Sequence, residues 1–326
     1  GKYMSETNYT YAVARVRAKE VSLFSDSVIE QLMACKDYKS CMAFLHDHGW
    51  GNGEPAETED EMLAFERKKT WDDIHELVNE KDAFAVITVP REYHNLKAAI
   101  KQVCSGDKAE HAYYDNCRWS PEQLKDMVER KDFDSLPERM AYVANEATEA
   151  LLQTQDGQLC DIIIDTATLE AVKEEGAKSD SKLIKQYAEE MVAVANIRVA
   201  VRCAKTKKSK DFMERAIVAC DSLSKASLIK GAESGIDGIC SYLQSAGYSE
   251  AAEHIKESPS AFERWCDNRI IDKIKEEKYN SFSAGPILAY FLARENEIKT
   301  VRIILTGKLN NLSDDFIRER LRKMYV

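Results

Sequence analysis

A short signature recurs along this chain at a nearly constant interval. Asn95-Leu96-Lys97, Asn196-Ile197-Arg198 and Thr300-Val301-Arg302 each set a small polar residue before an aliphatic and a base, at steps of 101 and 104 residues. Each copy lies in an apolar, helix-like stretch (NLKAAIK, NIRVAVRC, TVRIILTG), and each is followed by a segment that opens on serine, at Ser120, Ser209 and Ser313. The tetrapeptide AFER occurs at 64–67 and again at 261–264. Ordered matches at a common period signal internal repetition, in which one supersecondary unit buries its apolar face against the next. The spacing predicts three related helical units.

Local signals agree on helix. With only 13 glycines and 6 prolines, the chain has few of the punctuators a β-rich fold needs. Capping boxes, in which a hydroxyl and a later Glu or Gln satisfy the orphan N–H groups of a first turn, fit Ser27/Glu30, Thr58/Glu61, Ser120/Gln123, Ser135/Glu138 and Ser260/Glu263. Pro121 and Pro137 sit just inside such starts, where a missing N–H costs nothing. Leu183, Ile184, Tyr187, Ala188, Met191, Val194 and Ala195 mark one helix face, and Ile287, Phe291, Ile298, Val301 and Leu305 another. The expected fold class is all-α.

Two places are less regular. Residues 83–89 (AFAVITV), stopped by Pro90, have strand propensity; their place just before the first signature copy assigns them to helix. Residues 49–55 (GWGNGEP) read as a loop, with the acid-rich 57–61 opening the next helix. At the N-terminus, Ala14-Arg15-Val16-Arg17 followed by a Ser/Asp start and Val28-Ile29-Glu30 resembles the close of one unit and the start of the next. Residues 313–321 (SDDFIRERL) resemble another start. The two termini are therefore expected to supply complementary half-units, so that the array closes on itself.

Composition excludes several functions. A net charge of −10 argues against a nucleic-acid binder, which normally carries a basic balance. Nine cysteines, an odd number without a C-x-x-C pair, read as reduced cytosolic thiols used as small core residues. No segment reaches the roughly 18 apolar residues of a membrane span, and no secretory signal is visible. Residues 1–5 (GKYMS) fit the loose N-myristoylation pattern, for which chance is the alternative.

The search for catalytic chemistry is mostly negative. Gly307-Lys308 is followed by Leu309, so no phosphate loop forms, and Ser234-Gly235 lacks the leading glycine of a nucleophile elbow. Gly49, Gly51 and Gly53 make a G-x-G-x-G outside any βαβ context, and a loop is the better reading. No histidine has a glutamate three residues before it, and His46-Asp47-His48 reads as a solvated helix end rather than a metal frame. One enzymatic candidate stands out. Asp72-Asp73-Ile74-His75-Glu76 resembles the Asp-rich motif with which all-helical isoprenoid synthases hold Mg²⁺-diphosphate, and carboxylates one turn apart can share a hard cation. That chemistry needs a second acidic cluster, for which Asp161 and Asp165 are candidates. The alternative is that residues 70–73 open a helix, where acids favour the dipole.

Basic clusters are a better functional clue. Residues 191–210 carry Arg198, Arg202, Lys205, Lys207, Lys208 and Lys210 and no acid. The tail from Phe316 carries Arg318, Arg320, Arg322 and Lys323 against Glu319. In an acidic chain these are local positive patches able to steer an acidic partner; the plain alternative is a solvated face. The signature bases Lys97, Arg198 and Arg302 could equally pair with acids inside each unit.

The tail GPILAYFLARENEIKTVRIILTGKLNNLSDDFIRERL, together with REYHNLKAAIK and NYTYAVARVRAKE, resembles the C subunit of bacterial and archaeal V/A-type ATPases, whose eukaryotic counterpart is the d subunit. The most specific pieces are 93–97, 295–299 with Val301-Arg302, and the opening 11–17; the resemblance runs from Tyr9 to Val326. It implies a funnel-like protein of three similar helical units around a pseudo-threefold axis, with no catalytic site, metal or cofactor. The units would span 1–119 with an N-terminal closing half-unit, 120–208, and 209–326 with a C-terminal closing segment. The implied role is a rotor part, peripheral to the membrane on its cytoplasmic face. There the central-stalk shaft seats in the funnel and the proteolipid ring lies beneath, so that torque passes between ATP chemistry and H⁺ or Na⁺ translocation. The family's contact residues form no compact motif; charge clustering points to Arg198, Arg202, Lys205, Lys207 and Lys208 as the patch for shaft or ring. The competing readings are the Mg²⁺-dependent helical enzyme and an open helical-repeat scaffold with free ends.

Overall fold

The computed structural model describes residues 2–56, 58–78, 84–105, 113–280 and 283–326, with side chains from Tyr9 onward apart from that of Tyr279. The protein is all-α: helix accounts for 76% of the chain, with no strand among the described residues. Gly1, Glu57 and Ala83, on which three of the expectations above fall, lie outside the described residues. No described helix is long and apolar enough to cross a membrane.

The helices form two compact units. The first gathers both ends of the chain: α1 (Lys2–Glu20), α2 (Asp26–Met33), α3 (Tyr38–Asp47), α4 (Glu59–Leu77), α14 (Pro259–Ile274), a 3₁₀ turn (Lys275–Tyr279), α15 (Gly285–Leu309) and α16 (Asp314–Arg318). The second holds α5 (Ala85–Cys104), α6 (Pro121–Arg130), α7 (Glu138–Thr154), α8 (Gly157–Lys178), nearly all of α9 (Lys182–Thr206), α10 (Lys210–Ala216), α11 (Lys225–Glu233) and α12 (Gly235–Ser245), and α13 (Ser249–Glu257) is divided between the two.

In the first unit the core joins Leu32, Leu45, Leu63, Val301, Leu305 and Met324, so the N-terminal helices bury their apolar faces against α15 and the C-terminal tail. Helix α15 is buried on all sides over its first two turns: Ile287, Leu288 and Phe291 are each at most 1% exposed, worth about 1.5–3 kcal/mol apiece against leaving them in water. The chain ends are tied together. Asp26 accepts the Met324 N–H at 3.2 Å, Glu30 pairs with Arg318 at 2.6 Å, and Arg17 donates to the carbonyls of Glu277 and Asn280 at 2.7 and 3.1 Å. The two ends of the chain are thus paired within one unit.

At the centre of this unit Arg294 donates to Glu297 Oε2 (2.7 Å), Glu66 Oε1 (3.0 Å) and Thr70 Oγ1 (3.2 Å). The remaining carboxylate oxygens are taken by backbone and lysine. Glu66 Oε2 accepts from Gly51 N–H and Lys69, and Glu297 Oε1 accepts from Phe24 N–H at 2.6 Å. Burial pulls the Arg294 guanidinium down, but the Glu297 and Glu66 carboxylates more than offset it, and its pKa lies above the ordinary arginine value. Breaking such a buried network by removing one partner typically costs about 3–5 kcal/mol.

The second unit packs α5 against α6, α7 and α8 over Leu96, Ile100, Leu124, Phe133, Ala147 and Ile164. Helix α5 begins at Ala85 and runs through Pro90, so the β-branched stretch is helical. Burial decides against propensity there, since Val86 and Ile87 are 1% and 6% exposed. Pro90 withholds one hydrogen bond from Val86, a local cost the helix tolerates near its start.

Helix caps follow the expected chemistry with shifts of register. Ser120 and Gln123 form a complete capping box with Pro121 at the first position, and Thr58, Ser209 and Ser313 cap α4, α10 and α16. The caps expected at Ser27 and Ser260 fall two residues earlier, at Ser25 and Ser258, because each of those hydroxyls accepts the N–H three residues on. Helix α7 starts after Pro137 rather than at Ser135. Residues 70–73 do not open a helix: they lie inside α4, where Thr70 bonds back to the Glu66 carbonyl. The glycine-rich loop is confirmed, with Gly49, Gly51 and Gly53 at φ +86, +93 and +92, a region that disfavours any residue with a Cβ.

Candidate partner-contact site

The basic cluster sits at the end of α9. That helix runs 25 residues without glycine or proline, its apolar side buried through Leu183, Ile184, Ala188 and Val194. It closes on Lys207, in the left-handed region at φ +53, and the Lys208 N–H returns to the Cys203 carbonyl at 3.0 Å. This is the six-to-one closure of a Schellman motif. The next residue, Ser209, caps α10 through the Phe212 N–H, so residues 207 and 208 are held in a short fixed turn.

On α9 itself Arg198, Arg202 and Lys205 follow one another at four and three residues and all three are exposed, while Ile197, Ala200 and Cys203 face inward. The structure therefore places the three bases on one solvent face, with Lys207 and Lys208 just beyond its end. Lys208 is partly engaged, 3.0 Å from Gln158 Oε1 and 5.1 Å above the Phe212 ring. Bases at a helix C-terminus gain about 0.3–1 kcal/mol each from the dipole, but only within the last turn. Arg198 lies two turns back, one turn from Arg202. The dipole accounts for Lys205, Lys207 and Lys208 and does not reach Arg198 and Arg202.

The other basic clusters are consumed within their units. In the tail, Arg318 pairs with Glu30, Arg322 with Asp267 (3.0 Å) and Lys323 with Asp272 (3.2 Å), while Arg320 covers the Phe316 ring. Of the signature bases, Lys97 meets Asp165 at 2.8 Å and Arg302 meets Asp60 at 3.1 Å, as the pairing alternative expected. The acids of the enzymatic candidate are likewise engaged. Asp72 pairs with Lys68 and Glu76 with Arg15, while Asp73 pairs with Lys19 and accepts from Tyr290. Asp161 and Asp165 pair with Lys101 and Lys97. A cation at either cluster would have to displace these lysines and arginines.

The buried polar residue of the signature carries a role that spacing alone did not reveal. Asn95 accepts the Tyr114 N–H (2.9 Å) and donates to the Tyr114 carbonyl (3.0 Å); Asn196 does the same to Val218 (3.1 and 2.6 Å). Each clamps the strand of chain that leads into a serine-capped helix, at Ser120 and at Ser224. The third side chain with this role is Glu297, not Thr300, whose hydroxyl finds no partner among the described residues. Glu297 accepts the N–H of Phe24, immediately before the Ser25 cap of α2. The register of the third copy is therefore Glu297-Ile298-Lys299, and the interval becomes 101 residues twice over. The carboxylate hid this copy because a search for a small polar residue passes over glutamate. The AFER echo is one of letters only: in α4 its glutamate points inward, and in α14 its phenylalanine does.

Known proteins match the chain along nearly its whole length. Residues 12–320 fit the sequence profile of the ATP synthase (C/AC39) subunit family. The chain is 23% identical to the C subunit of the V-type sodium ATPase of Enterococcus hirae, over 95% of this chain and 97% of that protein. It is 23% identical to the C subunit of the A-type ATP synthase of Methanocaldococcus jannaschii, over 96% and 86% of the two chains. With the C subunit of the A-type ATP synthase of Halobacterium salinarum the identity is 24%, over 96% and 97%.

Proposed function

The chain belongs to the ATP synthase (C/AC39) subunit family, and on that premise we propose that it is the non-catalytic rotor adaptor of a V/A-type ATPase. In this role it joins the central-stalk shaft to the membrane proteolipid ring and passes torque between ATP chemistry and H⁺ or Na⁺ translocation. The observation that carries the proposal is the family match across residues 12–320, nearly the whole chain. A coupling part works by stiffness, and long helices with close-packed cores suit it. The family's three-unit, funnel-like architecture about a pseudo-threefold axis, with units over 1–119, 120–208 and 209–326, is part of the same proposal. It is supported by three buried acceptors at 101-residue intervals, each fixing the chain ahead of a serine-capped helix. The third acceptor, near the C-terminus, holds a segment near the N-terminus, as complementary half-units require.

The contact patch is assigned to Arg198, Arg202, Lys205, Lys207 and Lys208. Its partner is an acidic face of the shaft or of the ring at the cytoplasmic side. Arg198, Arg202 and Lys205 lie together on one solvent face of α9, within reach of a single acidic surface. The test is a pull-down from detergent-solubilised membranes of the source organism, comparing wild type with Arg198→Glu/Arg202→Glu/Lys205→Glu. Wild type should recover shaft and ring subunits. The variant should recover at least tenfold less at low salt, with the difference shrinking toward 1 M, where the Debye length is about 3 Å. Equal recovery by both chains would remove the patch from the interface; recovery of neither partner by wild type would remove the adaptor role.

A further inference from the structure

The α2–α3 corner carries two thiols that nothing in the rotor role uses. Cys35 lies just past the end of α2 and is half-buried; Cys41 lies in the first turns of α3 and is fully buried. Their sulfurs converge on consecutive carbonyls of one helix end, Cys35 Sγ at 3.6 Å from Gln31 O and Cys41 Sγ at 3.6 Å from Leu32 O. Cys35 also acts electrostatically on Cys41, adding to the burial that raises the Cys41 pKa. Above the corner, the Lys308 ammonium donates to the Met33 and Cys35 carbonyls at 2.8 Å each, with its own side chain only 9% exposed.

We propose that Cys35 and Cys41 are a reversible dithiol–disulfide pair whose oxidant is a peroxide. Cys35, the accessible sulfur, takes one oxygen from the peroxide and becomes a sulfenic acid; its proton leaves with the other oxygen as water when the oxidant is hydrogen peroxide. Cys41 then attacks the Cys35 sulfur, the S–S bond forms as the S–O bond breaks, and the Cys41 proton leaves on the departing hydroxide as a second water. In sum two thiols lose two hydrogens and one peroxide becomes two waters. A dithiol reductant reverses the step by exchange.

The geometry assigns the order of events. Burial pushes the Cys41 thiol up to about 12, with Lys308 pulling the other way, so Cys41 is inert toward oxidant from solvent. It reacts once an electrophilic sulfur is placed against it. The bond would staple the end of α2 to α3, the pair of helices that packs against α15. Oxidation would thus stiffen one corner of the first unit without requiring any helix to move far.

Peptide mapping of the full chain tests this directly. Trypsin separates the two residues, placing Cys35 in 20–36 and Cys41 in 40–67. After hydrogen peroxide and thiol alkylation, wild type should yield these peptides joined and lighter by two hydrogens than their sum, and dithiothreitol should restore both. In Cys41→Ser the sulfenic acid should persist at Cys35 and be trapped by dimedone; in Cys35→Ser, Cys41 should stay reduced. The wild-type map needs no variant to fold. Separate peptides with Cys35 carried on to sulfinic acid would overturn the proposal, and so would oxidation of Cys41 in the absence of Cys35.

Discussion

Replacing Asn196 by alanine isolates what the buried clamp contributes. Asn196 is 1% exposed and its partner Val218 is 4% exposed, so no water stands ready to replace the amide. The substitution strands one N–H and one C=O of Val218, each costing about 1–3 kcal/mol when buried without a partner. A loss of about 3–4 kcal/mol is expected. Asn95→Ala deletes the same pair of bonds, but Tyr114 is 45% exposed, so solvent can take over and about 1–2 kcal/mol is expected there. Asn196→Asp keeps the acceptor and turns a carboxylate oxygen toward the Val218 carbonyl, so it should cost no less than alanine. Urea unfolding gives the ranking. Peptide-resolved hydrogen exchange gives the location: protection over 216–223 should fall on the order of 10²-fold in Asn196→Ala, since 1.4 kcal/mol is tenfold. A cost below about 0.5 kcal/mol, the range of ordinary surface substitutions, or a larger cost at Asn95 than at Asn196, would refute the assignment of the clamp.

Other perturbations probe electrostatics and packing. Glu92 accepts the Arg118 N–H through one oxygen at 2.6 Å, while its other oxygen is buried without a partner among the described residues. Burial raises its pKa above 4.5 against the pull of that N–H. The folded state therefore binds this proton more tightly than the unfolded one, and stability falls as pH rises from the unfolded value through the folded one. Glu92→Gln should remove that slope, so melting curves of the two chains should diverge in favour of the variant on going from acid to neutral pH; parallel curves would contradict the reading. Gly176→Ala tests a close helix crossing. A Cβ there would meet the Ala188 Cβ at 2.4 Å, so the added methyl should destabilise by about 1–3 kcal/mol despite alanine's better helix propensity; a stabilised variant would show that α8 and α9 can separate freely.

Helices were legible because their evidence is local. A Ser-x-x-Gln box with proline at the first position identifies α6 from four residues, and the apolar face of α9 declares itself by spacing. Caps slipped by two residues where two hydroxyls competed, as at Ser25 against Ser27, since only geometry decides which oxygen meets the free N–H. The Thr70 to Asp73 segment failed for the opposite reason: an acid-rich stretch suits a first turn, yet its charges are answered by Lys68 from inside the helix and Lys19 from outside it. Such distant partners cannot be read from neighbours in sequence. The basic residues of α9 were visible as composition, but their separation into three on a face and two in a turn needed the left-handed Lys207.

The pairing of Phe24 with Glu297 also has a temporal side. The two residues are 273 positions apart, so helices α2 to α4 emerge from the ribosome long before α15 can cover them. At about 5–20 residues per second the interval is roughly 15–50 s. During that wait the second unit, continuous along most of its length, can complete its own core, whereas Leu32, Leu45 and Leu63 remain without their principal partner. Synthesis therefore leaves an apolar surface exposed for a predictable period, and it is the arrival of α15 and the segment through Met324 that ends it.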